Sequence, residues 1–95
     1  MAADIALLTV ELRLPGVQSL KEKRRILQSM IQKLKSMFNI AISETDHQDT
    51  WQRSELSIVS VNTSWNELQR TIGFIQNWMQ RQYDIEVIED RIERL

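Results

Sequence analysis

Apolar and polar residues alternate along the first ordered-looking run, Ile5 to Leu14 (IALLTVELRL). Ala6, Leu8, Val10 and Leu12 make one wholly apolar face, while Ile5, Leu7, Thr9, Glu11 and Arg13 grade from apolar to charged. A period of two predicts a β-strand, here buried along one face and along only the first half of the other. Pro15-Gly16 ends it. From Ser19 the period lengthens. Leu20, Leu27, Ile31, Leu34 and Phe38 recur at helical spacing, widened by Ile26, Met30 and Met37. Ser19 and Glu22 form a capping box, the serine hydroxyl taking a free N–H of the first turn and the glutamate reaching back. The pattern predicts a helix to about Phe38, a strand over Asn39 to Thr45, a polar turn over Asp46 to Thr50, and a third strand over Gln52 to Val61. Thr63/Ser64 with Glu67 is a second capping box. It opens a helix to about Gln82 with Trp65, Leu68, Ile72, Ile75 and Met79 on one face. Gly73 is tolerated inside it at about 1 kcal/mol relative to alanine. The last run, Asp84 to Glu93, is a strand whose charge suits a sheet edge.

The order β-α-β-β-α-β in 95 residues predicts one domain, residues 1–95. Two right-handed crossovers around a central hairpin give an α+β, ferredoxin-like βαββαβ sandwich. Its antiparallel sheet has the order 4-1-3-2, with both helices on one face. This topology brings three polar segments to one end: Pro15 to Arg25, Asp46 to Arg53, and Arg81 to Tyr83.

Composition narrows the chemistry. The absence of cysteine excludes disulfides, thiolate metal sites and a cysteine nucleophile. No apolar run approaches the roughly 20 residues of a membrane span, and Asp4 precedes the first apolar run without a basic leader. The expectation is a cytoplasmic protein with no membrane attachment. The net charge of −1 conceals a strong segregation. Ser19 to Met37 carries six basic residues against one acid, net +5, whereas Asp84 to Leu95 carries five acids against two arginines, net −3.

The basic end supplies the candidate anion- or RNA-binding residues: Lys21, Lys23, Arg24, Arg25, His47, Trp51, Arg53 and Arg81. Lys23 stands apart, because at 100° per residue it falls inside the arc the helix buries. Either its stem covers the core while its ammonium pairs with Asp46, Asp49 or Glu11, or it joins Arg24 and the helix N–H groups in an anion site. His47, with Asp46 and Asp49 beside it, reads as a solvated turn residue. One histidine with carboxylates is too generic for a metal site, and no cofactor is implied. Trp51 is either a lid on the core or a platform for stacking a base or a partner's side chain. Apolar residues supply the candidate dimer contacts. Phe74 and Trp78 lie outside the core face of the second helix, with Phe74 furthest out. Ile5, Leu7, Val59 and Val61 cluster on the sheet face that neither helix covers.

The run Leu12-Arg13-Leu14-Pro15-Gly16, then Ser19-Leu20-Lys21-Glu22-Lys23-Arg24-Arg25, with Asp49-Thr50-Trp51-Gln52-Arg53, resembles the YlxP-like family of small bacterial proteins of unknown function. The SLKEKRR segment is the most specific part, and the resemblance extends over essentially the whole chain. Ser54 departs from the commoner alanine. The resemblance implies a bacterial cytosolic protein with this same fold. The placement of members near translation-initiation and ribosome-maturation genes implies a ribosome or RNA connection. It carries no catalytic residues.

The expected function is therefore a non-catalytic binding module for ribosomal RNA or the ribosome, acting through the basic helix start and the turn between the second and third strands. The alternative is a homodimeric interaction module without nucleic-acid binding. An enzyme such as an acyl-phosphate hydrolase shares the fold. Such a site needs an arginine in the loop between the first strand and the first helix, and Pro15-Gly16-Val17-Gln18 has none.

Overall fold

The computed structural model describes residues 2–95. The elements are β1 (Asp4–Arg13), α1 (Leu20–Met37), β2 (Ile40–Asp46), β3 (Arg53–Asn62), α2 (Trp65–Gln80) and β4 (Glu86–Arg94). They build a four-stranded sheet in the order β2-β3-β1-β4, with every neighbouring pair antiparallel. This is the expected ferredoxin-like α+β layout.

The central pairing of β1 with β3 runs unbroken from Asp4↔Asn62 to Arg13↔Arg53. Directly opposed residues share a face, so Ala6, Leu8, Val10 and Leu12 stand with Ser60, Ile58, Leu56 and Ser54. All eight are buried. Leu27, Met30 and Leu34 of α1, and Leu68, Ile72, Ile75 and Met79 of α2, complete one core on that face. Each fully buried leucine or isoleucine contributes about 1.5–3 kcal/mol relative to exposure. Leu14, Val17 and Ile85 extend the core into the loops beside β1 and β4. Leu20 and Ile31, expected on the buried face of α1, lie half-buried at its margin.

Both helices start on serine caps. Ser19 Oγ accepts the Glu22 N–H at 3.0 Å, and Glu22 Oε2 in turn accepts the Gln18 N–H at 3.3 Å. At α2, Ser64 Oγ accepts the Glu67 N–H at 3.3 Å, and Asn62 Oδ1 accepts that of Ser64 at 3.0 Å. Among the described residues, no helix is long and apolar enough to cross a membrane.

Two bulges interrupt the outer ladders. Thr45 is the extra residue between Glu44↔Leu56 and Asp46↔Glu55, and Ile88 between Glu89↔Glu11 and Val87↔Leu12. An extra residue reverses the facing of the residues beyond it. Glu44 therefore faces the helices, opposite buried Leu56, while Asp46 turns to the open face beside Glu55.

Candidate functional site

The region where β1 ends and α1 begins is organised by Lys23. Its side chain is 1% exposed, and its ammonium meets three oxygens. Nζ lies 2.8 Å from Glu44 Oε2 and donates to His47 O at 2.6 Å and Thr50 O at 2.7 Å. An ammonium has three protons, and each is committed. Glu44, 20% exposed, also accepts from buried Ser54 Oγ at 2.6 Å. Lys23 is thus a tether between α1 and the β2–β3 turn. This corrects its assignment as an anion-binding group: no proton is left for a ligand. It also corrects the expected partners, since Glu44 takes the place of Asp46, Asp49 or Glu11. The signal was present in the sequence. Glu44 follows Ile40 and Ile42 at inward-facing strand positions, just as Lys23 interrupts the inward phase of α1.

The turn itself is closed by the Thr50 N–H donating to His47 O at 3.0 Å, with His47 at a positive φ of 63°. Non-glycine residues adopt this region infrequently. The carbonyl that receives both Thr50 N–H and Lys23 Nζ belongs to this residue, so the turn's conformation and its tether to α1 coincide. The Leu14 N–H donates to Gln52 O at 3.0 Å and Gln52 Nε2 to Val17 O at 2.9 Å, so the β1–α1 loop is bound to the same turn.

The expected cations do not form one surface. His47 Nε2 lies 2.8 Å from Glu11 Oε1, and Arg53 Nη2 lies 3.4 Å from Glu11 Oε2. Glu11 and Arg53 stand on the open sheet face, opposite Glu55 and Arg13. The sheet therefore separates His47 and Arg53 from the helix layer, and a carboxylate engages both. They are removed from the composite basic surface for that reason. Among the described residues, no three metal-ligating side chains converge to hold an ion.

Cations without an ion pair among the described residues include those on the outer face of α1. Lys21, Arg24, Arg25, Gln28, Gln32 and Lys35 are all exposed and, at 100° per residue, fall within an arc of about 100°. From Lys21 to Lys35 this stripe is about 21 Å long. Among the described residues, none of its four cations makes an ion pair; Arg13, Arg53, Arg70 and Arg94 each do. Ser19, Lys21, Glu22, Arg24, Arg25 and Gln28 border a shallow depression along it. Lys33 lies to one side, in a groove shared with Arg25, Ser29, Gln82 and Asp84. The helix N-terminus offers less than expected, because Ser19 and Glu22 already occupy its polar groups.

Three further exposed residues stand at the end of the molecule where α1 begins. Trp51, 51% exposed, follows Thr50 directly on the tethered turn and is therefore no lid on the core. Arg81 is exposed at the C-terminal cap of α2. Tyr83, fully exposed, lines a recess with Gly16, Val17, Glu22, Ile26 and Asp84. Tyr83 carried no signal in the sequence, where a lone tyrosine after a helix reads as punctuation.

The apolar candidates also divide. Phe74 is 57% exposed, whereas Trp78 packs against the core. On the open face, Ile5 sits opposite Val61 and Leu7 opposite Val59, with Ala41 beside Val59. Ile5 and Val61 are exposed and Leu7 and Val59 half-buried, so these residues form a continuous apolar patch.

Comparison with known proteins agrees with the fold and supplies the family. The de novo designed protein Foldit4 superposes over 97% of both chains with a TM-score of 0.56 at 14% identity, a likeness of fold alone. The uncharacterized protein YlxP of Bacillus subtilis (strain 168) is 42% identical over 64 residues, which cover 63% of this chain and 70% of that one. Residues 5–92 match the family described as protein of unknown function (DUF503), and the chain belongs to that family.

Proposed function

We propose that this protein is a non-catalytic RNA-binding module, associated with ribosomal RNA, that grips phosphates along the outer face of α1. The observation that carries this reading is the stripe of Lys21, Arg24, Arg25 and Lys35, exposed and without ion pairs among the described residues. Unpaired cations in a row attract a polyanion without reference to its sequence. The open sheet face is a poor alternative route. Glu11, Glu55 and Glu89 stand on it, and its strands carry no aromatic pair for base stacking. The reading assigns the protein binding rather than catalysis: the loop Pro15-Gly16-Val17-Gln18 carries no arginine for an acyl-phosphate site.

Filter binding to ribosomal RNA at 50 and 200 mM salt tests this. Four phosphate contacts release counterions enough for roughly a fifty- to hundred-and-fifty-fold loss of affinity across that range. The triple variant Lys21→Gln, Arg24→Gln, Arg25→Gln leaves one contact and about a threefold dependence. Absence of binding at 50 mM removes the reading.

A second reading, compatible with the first, is a homodimer joined through the open face. The patch of Ile5, Leu7, Val59 and Val61 favours it, since apolar area of this kind gains from being covered. Sedimentation should then give twice the chain mass for the wild type and the single mass for Val61→Lys. A wild-type monomer at high concentration rules it out.

A further inference from the structure

β4 is an edge strand: β1 lies on one side of it and, among the described residues, no strand lies on the other. The Leu95 N–H donates to Ile5 O at 2.8 Å, and these two residues continue the ladder beyond Ala6↔Arg94. Bonded and non-bonded pairs alternate along an antiparallel ladder. Glu93, Arg91 and Glu89 therefore bond to β1, while Arg94, Ile92 and Asp90 direct their N–H and C=O groups outward from the sheet. α2 packs on β1 and β3 more than on β4, and Ile92 is left 43% exposed. Edges that stay single are blunted by lysine, proline or a bulge. From Glu89 onward β4 has no lysine and no proline, and its bulge at Ile88 lies before that stretch.

The charges along this free edge run Asp90, Arg91, Ile92, Glu93, Arg94: negative, positive, neutral, negative, positive. Read backwards, the order is its own complement. A second copy laid antiparallel, with the two-fold axis at Ile92, sets Arg91 against Glu93 and Asp90 against Arg94 on both sides of an Ile92–Ile92 pair. The faces agree. Asp90, Ile92 and Arg94 stand on the helix side, level with Val10, Leu8 and Ala6, and Arg91 and Glu93 on the open side, level with Thr9 and Leu7. Opposite charges directly across a ladder attract and like charges repel. An axis through Asp90, Arg91, Glu93 or Arg94 would set that charge against its own copy, so the axis at Ile92 is favoured. Neither Arg91 nor Glu93 has an ion pair among the described residues. Arg94 meets Asp4 at 2.8 Å, and its guanidinium keeps donors for a second carboxylate. The outward groups of Asp90, Ile92 and Arg94 supply about six backbone hydrogen bonds in this register.

We infer that this protein pairs with a second copy of itself edge to edge through β4, joining the two four-stranded sheets into one, with Ile92 opposite Ile92. The pairing rests on neither the α1 stripe nor the open face. It leaves both open faces uncovered, on the same side of the joined sheet.

The chain has no cysteine, so single introduced thiols report the register. Under mild oxidation Ile92→Cys should run as a disulfide-linked dimer on a non-reducing gel, because bonded partners in a ladder lie about 5.5 Å apart at Cα, within disulfide reach. Ile88→Cys, as exposed as Ile92, should not, since its two copies then lie roughly eight residues, or about 27 Å, apart along the ladder. Sedimentation equilibrium over a concentration series measures the association itself. Arg91→Glu and Glu93→Arg should each weaken it roughly ten- to hundred-fold, by turning two attractive pairs into repulsive ones, and the two changes together should restore it. Val61→Lys, on the open face, should leave the Ile92→Cys crosslink unchanged. A dimer abolished by Val61→Lys and indifferent to Arg91→Glu overturns the edge pairing and upholds the open-face reading. Equal crosslinking of Ile88→Cys and Ile92→Cys, or a double charge exchange that restores nothing, overturns this register. A wild-type monomer at every concentration overturns both modes of pairing.

Discussion

Replacing Lys23 by methionine removes an ammonium while keeping an unbranched side chain that fills much the same space. Three contacts disappear, at 2.6, 2.7 and 2.8 Å. Hydrogen bonds to charged groups contribute about 1.5–3 kcal/mol each, but they share one donor group and do not add. Breaking a buried ion pair from one side costs about 3–5 kcal/mol, chiefly because the other charge is stranded. Glu44 is 20% exposed and keeps Ser54 as a donor, so water reaches it and the cost falls at the low end. The expected loss is about 3 kcal/mol, against a total stability of about 5–14 kcal/mol for a chain of this size. In melting temperature that is a drop of roughly 12–24 °C. Urea unfolding monitored by circular dichroism, on Lys23→Met, Glu44→Met and the double variant, separates the pair from the rest. Removing both charges should recover about 2 kcal/mol of the summed single losses. A Lys23→Met protein melting within about 3 °C of wild type, or a cycle additive within about 0.5 kcal/mol, would refute the tether as a stabilising element.

Two further changes examine the helix α2. Gly73→Ala should raise stability by about 0.5–1 kcal/mol, because a Cβ there meets nothing within 4 Å and the unfolded chain loses freedom. Thermal melting reads this as a gain of a few degrees, and any loss contradicts the open space beside it. Phe74→Ala and Trp78→Ala should separate sharply in the same assay. The exposed phenylalanine should matter by less than about 0.5 kcal/mol, and the packed tryptophan by about 2–3 kcal/mol. Equal costs would mean that both rings are buried, or both covered by a partner.

Several features of the fold were legible one residue after another. Period-two and helical spacings placed all six elements, and serine caps marked both helix starts, because such signals reside within a few neighbouring residues. Element ends shifted only slightly, as with β4 at Glu86–Arg94 rather than Asp84 to Glu93. Sheet order came from crossover handedness, a rule that needs only the order of elements. The exposed faces of Phe74, Ile5 and Val61 were also readable, since a residue out of phase with the core cannot be buried by its own element.

The candidate site was a different matter. Its segments do converge at one end of the molecule, as the element order implied, but the roles of their residues depended on partners distant in the chain. Lys23 and Glu44 meet through packing of α1 on β2, and His47 and Arg53 are drawn to Glu11 on the far side of the sheet. Local periodicity says which way a side chain points from its own element, and so it singled out Lys23. Choosing a partner requires the register between elements, which bulges such as Thr45 reset by one residue. From its sequence, then, this protein was a ferredoxin-like domain with a basic helix start. The tertiary structure decided which of those charges are spent inside the molecule and which are left for something outside it. Ion pairing is a contact between surfaces, and its geometry exists only once the elements have packed.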